Sequence, residues 1–164
     1  MTLSFLSPSS APTELLASPL ARALAGVSPE LARDLSLGGK VEVRGNVDLV
    51  DALPGEELIR CSARRGLLLV DDEPGEVVER LRARGLRAYD MSGALAGLAF
   101  AGERTARRLT DLDLERLPAA GMFAKIGAVL VRDEGERFRV YFPQELGHYV
   151  AEVVLDTIAG LDNV

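Results

Sequence analysis

The sequence has few of the residues that carry most protein chemistry. It holds one cysteine, Cys61, and one histidine, His148. A single thiol permits no internal disulfide and no cysteine-based zinc site, so no metal is expected in this chain. There is no tryptophan, and aromatic residues make up only 5% of the chain, too few for a platform on which bases would stack. The formal charge of −6 and a sequence pI near 4.9 give no general attraction for nucleic acid or for an anionic membrane. The longest uncharged stretches, 1–13 and 91–102, are shorter than the roughly 20 apolar residues that cross a bilayer. No basic region precedes an apolar run at the N-terminus, so no secretory leader is expected and the expected compartment is the cytoplasm. Neither G-x-G-x-x-G nor a P-loop occurs; Gly93 to Gly97 are too irregularly spaced and read as a tightly packed strand.

What is present is an ordinary core. Of 164 residues, 48% are hydrophobic and 27% charged, enough to fold without metal or disulfide staples. The length is too small for a flavin or nicotinamide oxidoreductase with its own substrate domain. Residues 1–30 carry four of the eight prolines and a Ser-rich start, and read as a mostly irregular arm. Within it Ser18 and Pro19 open a short amphipathic turn with Leu20 and Leu24 one turn apart. The arm's leucines have few periodic neighbours, so Leu16, Leu20 and Leu24 are expected to stay exposed in the isolated chain and to contact a partner.

Residues 40–161 read as the folded domain. Val41, Val43 and Val47 alternate with Glu42, Arg44 and Asp48, broken by Gly45-Asn46. Strands are expected at 58–62 and 66–70, then a helix opened by Asp71-Asp72-Glu73-Pro74 and closed by Gly85, with Val77, Val78 and Leu81 inward. Strands follow at 86–90 and 95–101, a short helix at 102–110, and a hairpin of 123–131 with 136–142. The last segment has the strongest helical period: Leu146, Tyr149, Val150, Val153, Val154, Ile158 and Leu161. The order of strands, helices and hairpin makes an α+β fold of strand-helix-hairpin-helix units, with helices on one side of the sheet.

Candidate chemistry is sparse. His148 is out of phase with the inward stripe of its helix and reads as a surface residue rather than part of a Ser-His-Asp site. Arg104, Arg107 and Arg108 share one short helix, but Asp111, Asp113 and Glu115 follow and read as their partners on a solvated face. Asp71, Asp72 and Glu73 suit a helix N-terminus better than a metal site. Cys61 lies between Arg60 and Arg64, which would lower its pKa if it were exposed; a buried, inert thiol is the commoner arrangement.

From Gly66 onward the chain resembles the folate-binding aminomethyltransferase superfamily, which holds the glycine-cleavage T-protein and subunits of heterotetrameric sarcosine oxidase. The residues that carry the resemblance are Asp90-Met91-Ser92, like the family's strand end, and the segment 99–109 with its strand, Gly102 and helix. It continues through Asp111 to Leu114, Pro118 and Gly121 to the final helix at Gly160. The N-terminal Ser18-Pro19-Leu20-Ala21 and the short length resemble the γ subunit within that group. The resemblance implies a single aminomethyltransferase-like domain and a non-catalytic, γ-like small subunit of a sarcosine oxidase or related N-methyl amino acid oxidoreductase. Such a subunit would brace the folate-binding part of a larger flavoprotein chain, and flavin, NAD and tetrahydrofolate would sit in the partner subunits. It also leaves open a minimal tetrahydrofolate-binding aminomethyl transferase of one-carbon metabolism, or a structural module of the same fold. The acidic segment that supplies the T-protein's catalytic carboxylate has no counterpart, since 127–131 are uncharged, so no catalytic residue is carried over.

Overall fold

A computed structural model describes residues 18–71 and 73–162 of the chain. Two antiparallel sheets lie face to face, each covered on its outer side by helix. The four-stranded sheet contains β2 (Gly39–Arg44), β3 (Glu56–Ser62), β4 (Arg65–Val70) and β5 (Arg87–Asp90) in the order β3-β4-β2-β5. The five-stranded sheet contains β1 (Ala32–Asp34), β6 (Leu95–Ala101), β7 (Ala119–Phe123), β8 (Ile126–Arg132) and β9 (Arg137–Pro143) in the order β1-β6-β9-β8-β7. The helices are α1 (Pro74–Ala83), α2 (Glu103–Leu109) and α3 (Gly147–Asp162). The α+β architecture with helices on one side of a sheet is thus realised twice.

Alternation along the strands decides the layers. Val41, Val43, Leu68, Val70 and Ala88 face α1 and bury Val77, Val78 and Leu81 against them. Leu98, Phe100, Leu130, Phe138, Val140 and Phe142 face α2 and α3, where Val150, Ala151, Val154 and Ile158 close the larger core. The opposite faces meet in a third cluster, in which Ile59 and Leu67 touch Val131 and Tyr141. Each fully buried side chain of this size contributes roughly 1.5–3 kcal/mol, so the two outer cores stabilise the fold far more than the small inter-sheet contact. Gly97 sits at that contact. A Cβ there would lie 2.9 Å from the Tyr141 ring and 3.0 Å from Leu35, so the Gly-rich run is the close-packed strand that its spacing predicts.

Several local expectations need correction. Leu20 is not exposed. The turns of 18–26 fold it onto the larger core, where it is fully buried, and Leu24 packs partly against the same core. The cap read at Ser18 explains how: its Oγ accepts from Leu20 N at 3.1 Å, and Leu24 N then donates to Leu20 O at 3.0 Å. Leu16 lies outside the described residues. On α3, Tyr149 is exposed and Val153 half-buried, because the inward stripe is centred one position further round, on Val150, Val154 and Ile158.

The strand expected at 123–131 is two strands. Phe123 ends β7 and pairs with Ile126 at the start of β8, so Ala124 and Lys125 form a two-residue turn with φ of 48° and 65°. Such a turn ordinarily calls for Asn or Gly. Tertiary contacts hold it instead: Ala124 N donates to Leu109 O at 2.7 Å, and Tyr149 Oη donates to Ala124 O at 2.9 Å. The segment 99–109 behaves as its resemblance implies, with Gly102 at φ 103° between β6 and α2.

Candidate functional site

The chain crosses between the sheets twice, and both crossings meet at Lys40. The loop 35–38 leads from β1 to β2, and 91–94 leads from β5 to β6. Lys40 is 1% exposed, and its ammonium donates to Ser36 O at 2.7 Å and Gly38 O at 2.6 Å. Its backbone N donates to Ser92 Oγ at 3.0 Å, and its O accepts from Met91 N at 2.8 Å. Ser92 Oγ in turn donates to Asp90 Oδ1 at 2.6 Å. Asp90-Met91-Ser92 is therefore a strand-end clamp that fixes the second crossing to the first. Burial lowers the Lys40 pKa, against the nearby Asp34 and Asp90, which raise it.

Two grooves flank the inter-sheet contact, with Tyr141 in the wall of both. The first, of about 750 Å³, is lined by Lys40, Asp34, Glu57, Asp71, Asp133 and Arg139 among others. Its charges are largely satisfied within the wall. Arg139 on β9 donates to Glu57 on β3 through two bonds of 2.7 Å, and to Asp133 Oδ1 at 2.7 Å and Oδ2 at 2.8 Å. The Glu57 bonds, which outweigh the effect of burial, and those to Asp133 raise the Arg139 pKa further. Arg139 is thus a cross-sheet brace.

The second groove, of about 490 Å³, is mainly apolar. Its polar residues are Glu42, Cys61, Arg65 and Tyr141. Glu42, 7% exposed, accepts from Arg65 Nε at 2.6 Å and from Arg44 Nη2 at 2.9 Å. Burial pushes its carboxyl up, but the two arginines outweigh it and the pKa ends lowered. Burial raises the Cys61 thiol, outweighing the Arg65 charge. Burial also raises the Tyr141 phenol. The thiol is half-buried, where the sequence reading has it buried, and its raised pKa keeps it neutral near pH 7.

The other residues singled out by sequence are spread over the surface. His148 and Glu152 approach to 3.1 Å across one turn of α3. Arg107 pairs with Glu103 one turn before it, through Nε at 2.9 Å and Nη2 at 2.7 Å. The acidic residues that follow take other partners: Asp113 pairs with Arg116 and Glu115 with Arg132. Glu73 caps α1 without a side-chain bond, followed by Pro74. Among the described residues, no group of three or more His, Cys, Asp or Glu is placed to hold a metal, and no helix is long and apolar enough to cross a membrane. Sequence reasoning missed Lys40 and the Glu42 cluster, since both sit at outward phases of a half-buried strand. The only available signal was the rarity of lysine, two against 17 arginines.

No family model and no curated protein matches the sequence. Among solved structures, a chain of the heterotetrameric sarcosine oxidase from Corynebacterium sp. U-96 superposes with a TM-score of 0.70 at 15% identity, over 89% of this chain and 96% of that one. The regulatory subunit of aspartate kinase from Thermus thermophilus gives 0.48 at 16% identity, over 77% of this chain and 96% of that one, below the level of a shared fold. The first overlay runs nearly end to end on both chains. The chain therefore has the fold of a heterotetrameric sarcosine oxidase subunit, in agreement with the resemblance read from its residues.

Proposed function

We propose that this chain is a non-catalytic small subunit of a hetero-oligomeric oxidoreductase acting on sarcosine or a related N-methyl amino acid. The observation that carries the reading is the overlay on a subunit of similar length from a heterotetrameric sarcosine oxidase. The described residues add support. Buried Lys40 braces the crossings, half-buried Arg139 braces the two sheets, buried Glu42 is neutralised within its own sheet, and Cys61 and Tyr141 are held neutral. In this reading flavin, NAD and tetrahydrofolate are bound by larger partner chains, and this subunit braces the folate-binding part of one of them.

The test is to purify the tagged chain from its native cell and record the flavin absorbance, the stoichiometry and the N-methyl amino acid oxidation of the complex. A stoichiometric flavoprotein assembly with that activity is expected. A chain that elutes alone, without flavin, at its native concentration would overturn the proposal. Calorimetry of the isolated chain with tetrahydrofolate separates the transferase alternative: binding tighter than about 100 μM, roughly −5.5 kcal/mol, would favour it.

A further inference from the structure

We infer that the apolar groove between the sheets is a binding site for a small carboxylate with an apolar body, held by Arg65. This goes beyond the subunit reading and does not depend on it. The groove's volume of about 490 Å³ falls in the range of roughly 300–1,000 Å³ usual for small-molecule sites, which combine apolar walls with a few polar groups. Leu67, Leu95, Met122 and Val129 supply the apolar wall.

The polar groups define the sign of the ligand. Both Glu42 oxygens are engaged by arginines, so that carboxylate has little left to offer a cation. Cys61 and Tyr141 are neutral at neutral pH, because burial raises both. Arg65 spends only its Nε on Glu42, and its two terminal nitrogens have no partner among the described residues. Arg44 turns instead to the Tyr89 ring, 5.6 Å from its centroid. Among the described residues, Arg65 is the only cation in the groove's lining, and its terminal nitrogens are the only charged donors there without a partner. The fork geometry of Arg65 matches a carboxylate in particular.

Gly127 of β8 also lines the groove. That residue pairs with Met122 across β7 and β8, and a Cβ built on it meets nothing within 4 Å. Met122 itself is 53% exposed. The empty space over Gly127 and the unspent Arg65 donors thus bracket a slot for the ligand, head at Arg65 and body toward Met122.

Titration of the full chain with hexanoate, hexanol and hexylamine, followed by amide chemical shifts, tests the inference. Hexanoate is expected to bind with Kd below about 1 mM, to shift Gly66, Met122 and Gly127, and to bind at least tenfold tighter than the alcohol or the amine. Arg65→Gln should weaken it at least tenfold. Gly127→Val, which projects into open space on a strand, should do the same while melting like the parent. Arg84→Gln, remote on α1's end and paired with Asp51, should leave binding unchanged. Equal binding of hexanol and hexanoate, full retention in Arg65→Gln or in Gly127→Val, or no shifts at 10 mM hexanoate, about ten times the expected Kd ceiling, would each overturn the site.

Discussion

Arg139 of β9 and Glu57 of β3 meet in two parallel hydrogen bonds of 2.7 Å, Nη1 to Oε2 and Nη2 to Oε1. They belong to different sheets, and this fork adds a directional link to an inter-sheet contact in which, among the described residues, Ile59, Leu67, Val131 and Tyr141 are the buried side chains. The Arg139 side chain is 14% exposed, so water screens it less than it screens a surface pair. A double-mutant cycle with Arg139→Met and Glu57→Gln should give a coupling of about 1 kcal/mol, at the top of the range for exposed pairs. Urea denaturation reads it. A coupling near zero would mean that the apolar cluster alone joins the sheets.

Leu20 is the anchor of the N-terminal turns. Leu20→Ala removes a fully buried side chain from the larger core and should cost about 2–5 kcal/mol. Leu24→Ala, only partly buried, should cost clearly less. Equal and small losses in denaturant midpoint would show that the turns contribute nothing to the core.

Lys40→Met tests the double crossing. The ammonium satisfies the carbonyls of Ser36 and Gly38; methionine fills its volume but donates nothing. Leaving those carbonyls without their donor should cost about 1–3 kcal/mol, and hydrogen exchange should rise first at Leu35 and Ser36. An unchanged melting curve would show that water replaces the ammonium without cost.

Glu42 makes stability depend on pH. Its folded pKa is lowered, with Arg44 and Arg65 outweighing burial. A lowered carboxylate pKa means that the unfolded chain binds the proton more tightly, so this stabilisation is complete above the unfolded value of roughly 4.3. It is lost as pH falls through the lower folded value. Glu42→Gln should therefore melt below the parent at pH 7, and the gap should shrink on acidification below pH 4. A gap that stays constant from pH 7 to pH 3 would assign the loss to packing.

The sequence determined most elements by local rules. Val77, Val78 and Leu81 place α1 because apolar residues recur at helical spacing between Pro74 and Gly85. The hairpin of β3 and β4 follows from two β-rich runs around Ala63 and Arg64. The step from β6 through Gly102 to α2 was likewise legible, since only glycine accepts its φ without strain. Tertiary structure decided the rest. Ala124 and Lys125 turn left-handed because Leu109 and Tyr149 hold them, and nothing in an Ala-Lys pair announces a hairpin. Three-residue β1 is a strand because β6 offers it an edge to pair with. Lys40 and Glu42 stand at alternate positions that read as solvent-facing. The second sheet covers that face and buries them, Lys40 against the carbonyls of the loop just before it and Glu42 against Arg44 and Arg65. Period and composition report which face of an element is apolar. They do not report how many sheets a chain will stack, because a half-apolar outer face and a half-apolar inter-sheet face carry the same pattern.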